Sequence, residues 1–179
     1  MPFSTVITIS VEKFNFSKAK IPLKDRILVQ TKKTDQAQMI LGFPGINNNS
    51  PKRFALAVLL SILGGGMSSR LFVEVREKLG LAYMINASAA SFCDVGTVFV
   101  QAGLNPSRLQ EAIAVIVAEL KKVVKHGVSD EEIKNAQNNL IGHLALSWED
   151  SSAVASWYAK KFLFSKKLET PEEIIRQLK

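Results

Sequence analysis

Cysteine occurs once in 179 residues, at Cys93, which excludes a disulfide framework and any cysteine-built zinc module. Histidine occurs twice, at His126 and His143. Neither belongs to a metal-binding pair such as His-x-x-x-His, so no metal ligand set and no Ser-His-Asp arrangement can be assembled from the chain. His126 reads as a helix-end residue facing the negative end of the dipole. His143 reads as a partly buried packing residue. No stretch reaches the roughly 18 consecutive apolar residues needed to span a bilayer. Ser4, Thr5 and Thr8 stand where a secretion signal would have a basic start and an apolar run, so the expectation is a cytoplasmic chain.

Hydrophobic residues make up 47% and charged residues 22%, which are globular proportions and exclude a disordered chain. The length suits one domain with a sizeable core. The formal net charge is +7. A basic balance raises nucleic acid or an acidic partner as candidates. The lysines, however, are scattered in pairs (Lys32-Lys33, Lys121-Lys122, Lys160-Lys161, Lys166-Lys167) without interleaved aromatic residues. That pattern is a solvated surface and not a single-strand binding face.

Strands are expected at 27–32, 37–43, 82–91 and 95–104, the last two joined at Cys93-Asp94. Ser50 and Pro51 should open an apolar helix that ends at Gly64-Gly65-Gly66. A second helix should run from Ser68 to Gly80, with Leu71, Val75 and Leu79 on one face. Asn105-Pro106 should open a long helix ending at Gly127. Ser129-Asp130-Glu131-Glu132 and Thr170-Pro171-Glu172-Glu173 read as capping boxes. Another helix should begin near Asp150. The fold class expected is α/β in the α+β sense: a mixed, mostly antiparallel sheet with helices packed on one face. One domain over 1–179 is expected. Residues 1–26 form no clear element and the last capped helix is short, so the chain reads as a piece of a longer polypeptide.

The triple glycine does not read as a phosphate cradle. A P-loop ends in Gly-Lys-Ser/Thr, whereas this run leads to Met67-Ser68-Ser69 and joins two helices. It fits a tight interhelical turn or a close backbone approach to another chain. Arg76 and Tyr83 are separated by a helix end and the short turn Leu79-Gly80-Leu81, so both side chains can emerge on one edge. A guanidinium can hold a peptide carbonyl, and a phenol can donate to a developing oxyanion. Spacing alone favours the other reading, a surface ion pair of Arg76 with Glu77 or Glu74 and a packed Tyr83.

The segment LGGGMSSRLFVEVREKLGLAY, residues 63–83, closely resembles the second-domain motif of the insulinase-like zinc metallopeptidases, which include pitrilysin and the mitochondrial processing peptidase. The likeness is closest to the processing-peptidase-like bacterial members. It extends from Thr31-Lys32-Lys33-Thr34-Asp35-Gln36-Ala37 through GVSDEEIKNAQNNL at 127–140 to TPEEI at 170–174.

The resemblance implies a subunit of two related α/β domains, with zinc held by a His-x-x-Glu-His helix in the first. This sequence contains no such motif. It resembles the second domain alone, without the zinc-bearing first domain and without parts of its own two ends. The family's second domain supplies an arginine and a tyrosine seven residues apart, which fall on Arg76 and Tyr83. The resemblance implies that Tyr83 steadies the scissile carbonyl oxygen and that Arg76 holds the substrate backbone. It implies no cofactor on this chain, zinc in a partner domain, an extended peptide as substrate and a possible dimer. A non-catalytic scaffold or adaptor of the same family is the alternative, and nucleic acid and membrane are not among the partners.

Overall fold

The computed structural model describes residues 35–164 and 169–179. The strand expected over 27–32 lies outside them. β1 (Ala37–Pro44) forms where a strand was expected, and its burial alternates: Met39 and Leu41 pack against the core while Ile40 faces away. β2 (Ala82–Ser91) and β3 (Gly96–Leu104) form a hairpin closed by the Phe92 N–H on the Val95 carbonyl at 2.7 Å. Both β1 and β2 pair antiparallel with β3, giving the order β1-β3-β2 among the described residues. The register sets Met39 and Ile85 opposite Ala102, and Leu41 and Ala87 opposite Val100, so one face of the sheet is continuously apolar.

That face is covered from above. α1 (Arg53–Gly64) contributes Leu60 and Leu63, and α2 (Leu109–His126) contributes Ala112 and Ile116. The mainly antiparallel sheet with helices on one face is as expected. α1 begins three residues after Ser50 and not beside it. The Ser50 hydroxyl accepts from the Lys52 N–H at 3.3 Å and its carbonyl from the Arg53 N–H at 3.2 Å, so Ser50 and Pro51 build a turn and the helix starts beyond it. Asn105 caps a single 3₁₀ turn, Pro106–Arg108, that leads into α2.

α3 (Asp130–Ser147) opens on the Ser129/Glu132 capping box, and α5 (Pro171–Leu178) on the Thr170/Glu173 box. α4 (Ser151–Phe164) turns back from α3 on an edge-to-face cluster in which Trp148 lies 5.2 Å from Trp157 and 5.7 Å from Tyr158. The buried Glu169 joins three helices: it pairs with Arg53 of α1, with Lys161 of α4 at 2.9 Å, and accepts from Gln177 of α5 at 3.4 Å. Burial alone would raise the Glu169 carboxyl, but the hydrogen bond and charge of Lys161, with the charge of Arg53, outweigh it and hold it low.

His126 is exposed at the end of α2. His143 is exposed as well, which corrects the expectation of a packing role. α3 has 18 residues against the 12 of α1, and the α3 residues that line the two pockets beside α1 run from Glu132 to Asn139. His143 lies on the part of α3 that outruns its partner.

Candidate functional site

Gly64 ends α1 directly over β2. A Cβ there would stand 2.2 Å from the Ala87 nitrogen and 2.8 Å from the Ala87 Cβ. The close approach allowed by the glycine run is thus made to the chain's own sheet. The loop then turns at Gly65 and Gly66, where the Gly66 carbonyl accepts from the Ser69 hydroxyl at 2.5 Å and the Ser69 N–H at 3.1 Å. A pocket of about 120 Å³ opens between this loop and α3, bordered by Ser61, Ser68, Glu132 and Asn139.

The helix expected from Ser68 to Gly80 is wound differently. After helical residues 70–71 it widens into a π-helix over Phe72–Lys78. Such windings are rare and frequent at functional sites. Leu71 just before it, Val75 on its inner face and Leu81 just beyond it supply three of the six largest fully buried side chains. The segment from Leu71 to Leu81 is therefore anchored in the core. It stops at Gly80, whose φ of +57° lies in the left-handed region; the Gly80 N–H returns to the Arg76 carbonyl at 3.1 Å and the Leu81 N–H to the Val75 carbonyl at 2.8 Å.

Arg76 is exposed on this segment, its guanidinium carbon 4.8 Å from the centroid of the Phe72 ring. The ion pair allowed with Glu74 or Glu77 does not form. Residues one or two apart diverge around a helix, and Glu74 is taken by Lys78 at 2.5 Å. Among the described residues the Arg76 guanidinium has no carboxylate or carbonyl partner, so its planar donors are available.

Tyr83 sits on a β-bulge. Ala82 pairs with Leu104 and Met84 with the adjacent Gly103, leaving Tyr83 as the extra residue. The consequence is visible in burial: Ala82 and Ile85 are both buried, three residues apart, while Tyr83 and Met84 both face out. A regular strand would alternate through this stretch. The bulge resets the phase and re-aims one side chain, a device common beside active sites. Tyr83 is 56% exposed, and its hydroxyl has no hydrogen-bond partner among the described residues, which removes the packed alternative.

Two further arginines grip the segment between these residues and its neighbours. Arg70 makes a bidentate pair with Glu132, at 2.6 and 2.8 Å, and reaches the Gly127 carbonyl at 3.4 Å. The Arg70 hydrogen bond is the main reason the Glu132 carboxyl is lowered to about 2, helped by the Ser129 backbone and hydroxyl. Arg108 pairs with Glu111 through two 2.9 Å hydrogen bonds and donates to the Leu79 carbonyl at 3.2 Å, inside the turn that links Arg76 to Tyr83. The sequence marked Glu132 as a cap but concealed its partner 62 residues away. Nothing in local periodicity pointed to Arg70 or Arg108.

Among the described residues no three His, Cys, Asp or Glu side chains converge on a point that would hold a metal ion. The zinc of the resembled family does not fit this set, since both histidines stand exposed on different helices.

The sequence pattern of the family described as Peptidase M16 inactive domain matches residues 8–140. An uncharacterized zinc protease of Streptomyces coelicolor is 42% identical over 138 residues, which is 77% of this chain and 30% of that protein. One of Bacillus subtilis is 35% identical over 151 residues, covering 84% of this chain and 37% of that protein. The chain thus spans about a third of the length of the curated relatives it matches. A crystal structure of a peptidase M16 inactive domain from Pseudomonas fluorescens superposes with a TM-score of 0.73 at 23% identity, over 81% of this chain and 35% of that one. The crystal structure of a protease from Helicobacter pylori does so with a TM-score of 0.70 at 26% identity, over 81% of this chain and 35% of that one. With the fold, the glycine loop and the Arg76–Tyr83 segment in place, the chain belongs to the M16 peptidase family, as its inactive domain.

Proposed function

We propose that this domain is the substrate-handling half of a zinc endopeptidase, working with a zinc-bearing domain of the same family on extended peptides. The observation that supports this most is the state of Arg76 and Tyr83. Both are exposed, both sit at the ends of one short buried-anchored segment, and among the described residues neither the guanidinium nor the hydroxyl has a hydrogen-bond or ion-pair partner. In this reading Arg76 holds a carbonyl of the substrate backbone beyond the cut with its directional donors. Tyr83 donates its hydroxyl to the scissile carbonyl oxygen as negative charge develops there. Zinc and the water it activates belong to the other domain, and no step of theirs is assigned to this chain. Kinship to processing-peptidase-like members is the finer form of the same proposal.

Arg76→Ala in the complete zinc-bearing protein tests it. The expected result is a raised KM and a lowered kcat, because the side chain positions the peptide in ground and transition states alike, with Tm unchanged. A large fall in Tm with kinetics otherwise intact would instead assign Arg76 to the fold and favour a scaffold or adaptor.

A further inference from the structure

Arg76 and Tyr83 lie on a segment that is held at both ends by arginines with no proposed contact to substrate. At its start Arg70 is locked to Glu132 and to the Gly127 carbonyl, which tie it to the α2–α3 connection and the first turn of α3. Glu132 is itself fixed by the reciprocal bonds of the capping box, so Arg70 closes on a carboxylate that cannot swing away. The buried Glu119 of α2 adds its charge to the same guanidinium and is held in turn by Lys122. At the far end Arg108 donates to the Leu79 carbonyl, and its own guanidinium is fixed by the two bonds to Glu111.

We propose that Arg70 and Arg108 are positioning residues that set where Arg76 and Tyr83 stand relative to the substrate. The packing of Leu71, Val75 and Leu81 seats the segment on the sheet, but apolar contacts are not directional and tolerate a small slide or rotation. The two arginine grips supply the direction. A bidentate fork fixes both position and orientation, whereas a single ammonium at Arg70 would fix neither. The turn between Arg76 and Tyr83 is only Leu79-Gly80-Leu81 and contains a left-handed glycine, so the side-chain hydrogen bond it receives from Arg108 bears directly on the spacing of the two side chains. A displacement of about 1 Å at a substrate-positioning group is enough to cost on the order of a hundredfold in rate.

The inference rests on the proposed roles of Arg76 and Tyr83, so two measurements are needed on the complete zinc-bearing protein. The first is amide hydrogen exchange, which requires no substrate. Arg70→Ala and Arg108→Ala should speed exchange within residues 72–83 and leave β3 unchanged; unchanged exchange in 72–83 would overturn the clamp. The second is a double-mutant cycle on cleavage of an internally quenched decapeptide chosen on the wild-type protein. Each alanine variant should lower kcat/KM about tenfold or more, mainly through kcat, and should add nothing further in an Arg76→Ala, Tyr83→Phe background. Arg108→Lys should recover most of the loss and Arg70→Lys little. Losses that multiply in that background, in step with Tm, would overturn positioning and leave a structural role. If the Arg76→Ala, Tyr83→Phe protein itself cleaves at the wild-type rate, the functional reading fails and the positioning role with it, while the exchange result still separates that failure from failure of the clamp.

Discussion

At Gly64 the backbone of α1 approaches β2 so closely that a methyl group has no place, with backbone of Asn86 and Ala87 both within 2.8 Å of where it would stand. Backbone cannot be moved aside as a flexible side chain can. Gly64→Ala should therefore cost about 3 kcal/mol, at the upper end of ordinary overpacking, and urea denaturation of the two proteins checks it. The sequence showed a glycine run and excluded a phosphate loop, but it could not show which surface the glycine meets. Arg76 and Tyr83 stood similarly. Their spacing left ion pairing and packing open, and only the resemblance of residues 63–83 to a known motif singled them out. The structure adds the physical reason: no acidic residue lies at helical spacing from Arg76, and the bulge turns Tyr83 away from the core.

Elements whose signals are local were legible. Both capping boxes form as read, the hairpin closes at Cys93-Asp94, and β1 forms where a strand was expected. The π-helix and the bulge were not, because both are answers to tertiary demands. Leu71, Val75 and Leu81 must all reach the core across one short segment, and no residue type encodes the wider winding that allows it. The same holds for the Arg70–Glu132 pair, which joins two helical segments distant in sequence. It carries a pH signature. Glu132 is held near a value of about 2 against an ordinary value of 4.5, so its contribution to stability is complete above about 4.5 and is lost as pH falls toward about 2. Its side chain is 30% exposed, so solvent screening reduces the effect to about 1–2 kcal/mol. Glu132→Gln should be less stable than the parent by that amount at pH 7, and the difference should shrink through this window. Urea midpoints at pH 7, 4 and 2.5 measure it, and a constant difference would rule out the linkage.

The described residues form a sheet covered on one face, with the exposed functional candidates on a segment packed into that core and with no metal-ligand cluster among them. It spans about a third of the curated relatives it matches. The isolated chain should accordingly bind no stoichiometric zinc, as metal analysis after gel filtration will show; one tightly held ion per chain would contradict the assignment of zinc to another domain. The division of labour has a more direct test. In the complete zinc-bearing protein, Tyr83→Phe removes one hydroxyl and leaves the ring and the bulge in place. A donor that acts on charge present only in the transition state should lower kcat by on the order of a hundredfold, with little change in KM and an unchanged Tm. Wild-type kcat in the Tyr83→Phe protein would contradict the role assigned to this domain.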